Sequence, residues 1–216
     1  MARSRVLLPP LVLGVLGTFA VGCGASGYQY VENEDLGVFA RVPDSWTMYD
    51  EGDVLRSTDE NITDIELEQL SNRVWFRGFD SSDDPSVDGV FDWSAAEPRG
   101  FVRIQQLSMT EREQVNLTSI RGFDPLAAMT GQTDNQIEVL VDEPADFEGY
   151  HGVHTVFAQS DSDGQVAIVD QTAVLDSTSS VLFLFLVGCE PECYDHSHHD
   201  EIAAIVDSWT IQGEGT

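Results

Sequence analysis

The sequence contains no lysine, so arginine supplies all ten of its basic side chains, whereas 38 residues are aspartate or glutamate. The formal net charge of the 216-residue chain is −28. Such a chain repels nucleic acids and anionic lipid headgroups, which excludes a nucleic-acid partner and electrostatic binding to a membrane. Because the acids are spread along the whole chain, we interpret the negative charge as a means of keeping the protein soluble in a salt-rich extracellular medium. Attraction to basic partners or divalent cations is the alternative.

Catalytic motifs are also missing. The sequence has no Gly-x-Ser-x-Gly, no His-Glu-x-x-His and no glycine-rich phosphate-binding loop, which are signatures of hydrolases, metalloproteases and nucleotide-binding enzymes. We therefore predict that the protein is not an enzyme, has no catalytic residues and uses no cofactor.

Hydrophobic runs long enough to span a membrane are missing as well. The apolar stretch at 6–20 is shorter than the roughly 20 residues that a bilayer requires, and Pro9 and Pro10 interrupt it. Arg3 and Arg5 precede this stretch and small residues follow it, which is the order of a secretory signal. We predict that residues 1–22 are a signal peptide.

Cys23 directly follows this segment, after Ala20, Val21 and Gly22. A cysteine at this point resembles the bacterial lipoprotein signal, in which the thiol receives a diacylglycerol before the chain is cut. The resemblance implies a diacylglycerol and a fatty acyl group on Cys23, and residues 23–27 as a flexible tether. Two or more acyl chains would hold the protein on the extracytoplasmic face of the cell membrane. An ordinary signal peptide cut elsewhere, with Cys23 incidental, is the alternative.

The other two cysteines, Cys189 and Cys193, lie close together. An exported chain meets an oxidising environment, so we predict that they form a disulfide, and Pro191 helps the chain to turn back between them. A metal or redox site is the alternative, although three intervening residues do not match the two-residue spacing of the redox motif.

The chain without residues 1–22 is long enough for one domain, 28–216. Residues 181–187 are apolar at every position, which predicts a strand covered on both faces. We therefore expect an α+β fold, with helices on both faces of an antiparallel sheet. Helices are predicted at 117–129 and at 197–208, the second capped by Ser197. The other predicted strands include 28–31, 36–42, 73–79, 101–107, 137–141, 152–159 and 165–175.

Three short motifs resemble a known fold. They are a strand followed by a Val-Pro-x-x-Trp turn at 37–46, the meander that ends at 181–187, and the segment 205–211 at the end of the closing helix. In these motifs the chain resembles the PsbP-like fold and, within it, the LpqN/LpqT-type lipoproteins of actinobacteria. The resemblance implies an α/β/α sandwich with a non-catalytic role in binding partners, and it provides no catalytic residues to carry over.

A cluster of histidines and aspartates at 195–200 is the most suggestive site for metal chemistry. His196, His198, His199 and Asp200 carry the ligand atoms that zinc, nickel or copper prefer. The alternative is a polar helix start with its histidines in water.

The acidic segment 80–98 is predicted to be a loop, and its Trp93 is the aromatic side chain we expect to contact a ligand or partner. Three functions follow from the sequence. The first is a non-catalytic, surface-anchored lipoprotein that binds a protein or another component of the cell envelope. The second is a carrier of a small apolar ligand or lipid, which requires a large apolar cavity. The third is a metal-binding protein that uses the 195–200 cluster.

Overall fold

The computed structural model describes residues 27–58, 61–121, 136–160 and 164–212. These residues form two antiparallel sheets, a seven-stranded sheet in the order β3-β4-β5-β9-β8-β7-β6 and a small sheet in the order β1-β2-β10. The strands of the large sheet are β3 (Thr47–Asp50), β4 (Val74–Asp80), β5 (Arg99–Gln106), β6 (Gln136–Phe147), β7 (Tyr150–Ser160), β8 (Val166–Asp176) and β9 (Val181–Cys189). The small sheet consists of β1 (Tyr28–Asn33), β2 (Val38–Pro43) and β10 (Thr210–Ile211).

Short helices connect these strands. The α-helices are α1 (Glu51–Thr58), α2 (Asp64–Ser71), α3 (Met109–Gln114), α4 (Leu117–Arg121) and α5 (His199–Val206). Two 3-10 helices (Glu34–Leu36 and Asp88–Phe91) and one π-helix (Cys193–Ser197) complete the set. No helix of the described segments is both long and apolar enough to cross a bilayer.

Strand β9 lies in the middle of the large sheet, paired with β5 on one side and β8 on the other. Its residues are buried on both faces, as the unbroken apolar run predicted. Leu182, Leu184 and Leu186 point to one face, and Phe183 and Phe185 point to the other. Burying each of these side chains stabilises the fold by roughly 1.5–3 kcal/mol, so β9 anchors two cores at once.

The face that contains Phe183 and Phe185 is covered by the small sheet and by α5, and we call it the small-sheet face. Strand β2 contributes Val38, Ala40 and Val42, which alternate along the strand and are fully or almost fully buried. Helix α5 adds its own apolar side, Ile202 and Ile205. Behind the helix, Trp209 stacks on Phe185 with ring centroids 5.3 Å apart.

The opposite face, which we call the helix face, is covered by short helical segments. Val54 of α1, Val90 of the 3-10 helix Asp88–Phe91, and Ile120 of α4 pack on the strand residues of this face.

The mixed α+β class with an antiparallel sheet is confirmed, whereas the expected α/β/α sandwich, with helices on both faces, is not confirmed. The small sheet shares the cover of one face with α5, because β2 alternates buried and half-buried residues and presents a continuous apolar side. On the helix face the cover comes from α1, with eight residues, α4, with five, and the 3-10 helix Asp88–Phe91, with four.

The closing helix also differs from its prediction. It begins at His199 rather than at Ser197, and His198 precedes it without a side-chain cap. The disulfide between the buried Cys189 and Cys193 holds the chain in a helical turn directly after β9, so Ser197 ends a π-helix instead of capping α5. The helix predicted at 117–129 is present as α4, and its remaining residues lie outside the described residues.

Gly100 tests how tightly the large sheet is packed. It lies in β5 opposite Phe79 of β4 and Val187 of β9, and a Cβ there would collide with the carbonyl oxygen of Leu186 and lie 2.7 Å from the Phe79 ring. We expect Gly100→Ala to lower the free energy of unfolding by at least about 2 kcal/mol, measured by urea denaturation of the purified protein.

Gly52→Ala is the matched control for this substitution. A Cβ on Gly52 in α1 would meet the end of the Arg56 side chain and the Asp50 carboxylate at 3.3 Å, a tight approach that both side chains can relieve by small shifts. Since alanine favours helix, this variant should be neutral or more stable by up to about 1 kcal/mol. Equal stabilities of the two variants would contradict the packing described for β5.

Candidate functional site

Four ionisable side chains form a connected network on the small-sheet face, near the end of the large sheet that β6 forms. Glu143 of β6 lies opposite His154 of β7. Asp170 of β8 lies opposite Val156, two residues beyond His154, so all three polar side chains point to the same face. Tyr194 of the π-helix reaches the same carboxylate. The register of β6, β7 and β8 and the helical turn after β9 therefore bring together four side chains that are far apart in the sequence.

His154 makes two contacts with carboxylates. Its Nε2 lies 2.8 Å from Oδ1 of Asp170, and its Nδ1 lies 3.1 Å from Oε1 of Glu143. The hydrogen bond to Asp170 raises the pKa of His154 to about 9, and Glu143 adds to this shift while partial burial of the ring opposes it. At neutral pH the ring is therefore an imidazolium that donates one hydrogen bond to each carboxylate.

Asp170 is only 5% exposed, in a strand that is otherwise largely apolar. The Tyr194 hydroxyl donates to Oδ2 of this carboxylate at 3.0 Å, while His154 occupies Oδ1. Burial raises the pKa of Tyr194, and the negative charge of Asp170 adds to the shift. Both carboxylate oxygens thus have donors, as an ionised group at this depth requires.

The hydrogen bonds of this network stabilise the fold and do not favour proton transfer. A general base needs a free lone pair near neutral pH, and both ring nitrogens of His154 donate to carboxylates. The Tyr194 hydroxyl keeps its proton because its pKa is raised. The network thus links β7, β8 and the helical turn after β9 through hydrogen-bonded polar side chains.

A cleft of about 140 Å³ opens beside this network, between α5 and the large sheet. Its volume is below that of ordinary small-molecule sites. Asp170, Tyr194, His199 and Asp207 line it together with apolar residues of α5 such as Ile202 and Val206.

A second cleft, of about 400 Å³, lies at the other end of the sheet between α1, α2 and β4. Glu51, Arg56 and Arg77 contribute charges to its wall, and the Arg77 guanidinium lies over the Trp75 ring at 5.7 Å. Both clefts carry charged groups, so neither provides the large apolar cavity that a lipid carrier requires.

Strand β6 is the most exposed long element of the described residues. It pairs with β7 alone among the strands of these segments, and all of residues 136–144 are exposed. Its aliphatic side chains are in contact with water, with Ile137 42%, Val139 55% and Leu140 52% exposed. An edge strand with exposed apolar side chains is a template for pairing with another chain.

The structure does not gather the predicted metal ligands. His198 contacts Glu201 at 2.9 Å, and His199 contacts the Tyr194 carbonyl at 3.3 Å, while His196 lies 4.0 Å from Glu192.

The π-helix ends before α5 begins, so His196 belongs to a different helical segment from His199 and Asp200. No three His, Cys, Asp or Glu side chains within the described ranges are arranged to hold a metal ion. The structure therefore does not support a metal site at His196, His198, His199 and Asp200.

Trp93 corrects another prediction, because it is buried rather than exposed. The 3-10 helix Asp88–Phe91 brings the acidic segment back over the helix face, where Trp93 is 2% exposed with its ring 6.2 Å from Phe101. Arg99 of β5 holds the same segment against the sheet, because its guanidinium donates to the Gly89 carbonyl at 3.1 Å and pairs with the Asp92 carboxylate at 3.6 Å. Trp93 is part of the core and is not available to a partner.

The cysteines divide into two groups. Cys189 and Cys193 are joined in a disulfide with Cα atoms 5.9 Å apart, as predicted. Cys23 and the signal peptide at 1–22 lie outside the described residues.

The fold is similar to that of a solved cyanobacterial protein. PsbP (CyanoP) from Synechocystis sp. PCC 6803 superposes with a TM-score of 0.53 at 14% sequence identity, covering 92% of this chain and 100% of that one. This similarity confirms the PsbP-like fold.

The Ran-binding protein Mog1p from Saccharomyces cerevisiae superposes with a TM-score of 0.44 at 10% identity, over 85% of this chain and 95% of that one. No protein-family model and no curated protein matches the chain.

The raised pKa of His154 predicts how stability depends on pH. Because the pKa of the ring is about 9 when folded and near 6.5 when unfolded, its contribution is fully present below pH 6.5 and is lost as the pH rises through 9. We expect the free energy of unfolding to fall over this interval by at most roughly 3 kcal/mol, measured by urea denaturation at each pH.

His154→Gln should remove this pH dependence, because glutamine does not titrate. His151→Gln is the matched control, since His151 lies on the opposite face of the same strand and should leave the dependence intact. An NMR titration should place the midpoint of the His154 ring near 9. A midpoint at or below 6.5 would contradict the network.

Proposed function

We propose that the chain is a non-catalytic lipoprotein, anchored through Cys23 to the extracytoplasmic face of the cell membrane, that binds a protein or another component of the cell envelope. The observation that carries the binding function is the exposed β6 edge, with aliphatic side chains in water on a domain whose other long strands are buried. Exposed apolar surface of this kind marks interaction sites in soluble domains.

The non-catalytic part of the proposal rests on how the ionisable groups are used. Enzyme active sites contain groups with shifted pKa values that face a cleft and are free to react. Here the strongly shifted groups, His154 and Tyr194, are held by carboxylates in a proton-donating role. The PsbP-like fold supports the architecture of the domain and does not bear on its chemistry.

The anchoring part rests on the sequence order at the N-terminus and on the resemblance to LpqN/LpqT-type lipoproteins. Four residues separate Cys23 from Tyr28, where β1 begins, and this interval spans at most roughly 18 Å when extended. The small sheet would therefore lie close to the membrane surface. With its many acids the domain is repelled by anionic headgroups, so the lipid alone provides the attachment.

Acylation predicts a specific mass and a specific location. In the native host, the first residue of the mature protein should be Cys23 carrying a diacylglycerol and a fatty acyl group, as shown by mass spectrometry of the N-terminal peptide. Cys23→Ala should move the protein from the detergent phase to the aqueous phase in detergent partitioning, because the protein would lose its acyl chains.

Ser26→Ala is the control for this substitution, since it changes the tether without removing the thiol. It should stay in the detergent phase with the wild type. An unmodified Cys23, or an N-terminus elsewhere, would contradict the anchor.

The binding function is tested by capture from living cells. The anchored protein, crosslinked in intact host cells and purified, should bring down the same envelope partner in independent experiments, identified by mass spectrometry. The proposed contacts are noncovalent and partly exposed to water, so the complex is crosslinked before the cells are lysed and diluted. If no partner recurs above the level seen with an unrelated acylated protein, the function proposed is wrong.

A further inference from the structure

We propose that β6 is the docking edge of this protein, and that its partner is a basic segment in extended conformation which adds to the large sheet as an eighth strand. The inference rests on the binding function proposed above and deepens it by naming the surface and the chemistry of the partner. It depends on three features of β6: a backbone edge that no other described strand pairs with, exposed aliphatic side chains and a negative charge.

The free backbone comes from the position of β6 in the sheet. Strands β4, β5, β9, β8 and β7 have a neighbour on each side, whereas β6 is hydrogen-bonded to β7 alone among the strands of the described segments. Alternate backbone N–H and C=O groups of an edge strand point away from its neighbour and are available to a further strand. Extended peptides bind many sheet edges in this way.

Two features set the length of the pairing segment. Pro144 lies within β6 opposite Val153, and proline has no N–H to donate to an added strand. The register with β7 shifts between Val139 and Val141, so Leu140 is the extra residue of a bulge. The segment available to a partner is therefore residues 136–143, divided by the bulge.

The aliphatic side chains of this segment lie on both faces of the sheet. Val139 lies opposite Phe157, whose side chain is on the helix face, and Val141 lies opposite Val156, on the small-sheet face. Val139 and Leu140 are more than half exposed. An added strand with aliphatic residues at matching positions would cover them on both faces, which stabilises pairing by cross-strand contacts.

The charge of the edge selects a basic partner. Glu138, Asp142, Glu143 and Asp146 lie along β6, all of them exposed. Arg121 pairs with Asp142 and His154 pairs with Glu143, which leaves a net negative edge on a chain of formal charge −28. A lysine- or arginine-bearing strand complements these carboxylates.

A second copy of this chain is disfavoured as the occupant by the same charges. Pairing of two β6 strands would place the two rows of carboxylates side by side, and like charges that face each other across strands are destabilising. The rest of each copy is also strongly acidic. The partner is therefore a different protein, with the opposite charge.

The experiment uses the full acylated protein in neutral detergent micelles and three synthetic octapeptides. The first alternates lysine with valine, the second alternates glutamate with valine, and the third is the lysine–valine peptide N-methylated at alternate backbone positions. Fluorescence anisotropy gives each Kd, and amide hydrogen exchange followed by mass spectrometry locates the contact.

The basic peptide should bind at least tenfold more tightly than either of the other two, because each of those lacks the charge or the backbone donors. It should slow exchange within residues 136–143. Binding should weaken as salt increases, since the attraction is partly electrostatic.

Glu138→Arg should weaken binding of the basic peptide at least fivefold. Glu138 is exposed, and its reversal leaves the network around His154 intact. Glu113→Arg, which makes the same change of charge on the exposed side of α3, is the matched control and should change the Kd less than twofold.

Four results would overturn the docking edge. The first two concern the peptides: binding of the basic peptide without protection at 136–143, or equal Kd values for the basic and N-methylated peptides. The third is an equal effect of the two arginine variants, and the fourth is protection of 136–143 before any peptide is added.

In the fourth case, sedimentation velocity shows what covers the edge. If the protein associates and the protection grows with its concentration, a second copy is the cover; if neither occurs, the cover is this chain itself. A partner captured equally by the wild type and Glu138→Arg would leave the general binding function standing while removing β6 from it. A failed capture would remove the general function regardless of the peptide results.

Discussion

Strand β9 must be buried on both faces and paired along both edges, and the rest of the domain is arranged around this requirement. Its alternating leucines and phenylalanines belong to two separate cores, so material has to cover the large sheet from both sides. The small sheet with α5 meets this need on one face, and α1, α4 and the 3-10 helix Asp88–Phe91 meet it on the other. The disulfide at the end of β9 then directs the chain back towards the sheet, where α5 begins.

Burial decreases from β9 towards β6, and the functional proposals follow from this gradient. Strand β8 is almost entirely buried, β7 has both buried and half-buried residues, and β6 is largely exposed. Charged and polar side chains are buried on the β6 side of the sheet, where the burial is less complete. The charge of Asp170, buried in β8, is compensated by hydrogen bonds from His154 and Tyr194. An ionised group that is fully hydrogen-bonded fixes the register of the strands that hold it, because a slip by one residue would turn His154 away from its partners. The same strands that are held in register by this network present β6 as an edge with a defined geometry.

The sequence patterns predicted what depends on local order and missed what depends on register. The two-sided burial of 181–187 and the bond between Cys189 and Cys193 follow from residue type and spacing. No sequence pattern points to the role of His154, because the network is completed by Asp170, sixteen residues away, and by Tyr194, forty residues away. One local signal was available. Asp170 is a lone carboxylate between the apolar segments 166–169 and 173–175, and a charge buried in such a strand needs a partner. The prediction for Trp93 was wrong for the reverse reason. The acidity of its segment suggested exposure, whereas contacts of Arg99 with the Gly89 carbonyl and the Asp92 carboxylate hold that segment on the sheet.

Native-state amide hydrogen exchange of the purified protein tests the central claim, that a doubly covered strand organises a sheet with one open edge. Amides of β9 should exchange only through global unfolding, with protection that follows the free energy of unfolding as urea is added. Amides at 136–143 that point away from β7 should exchange at least roughly a hundredfold faster and without dependence on urea, as locally exposed groups do. Protection of β6 equal to that of β9, or exchange of β9 by local opening, would contradict the account.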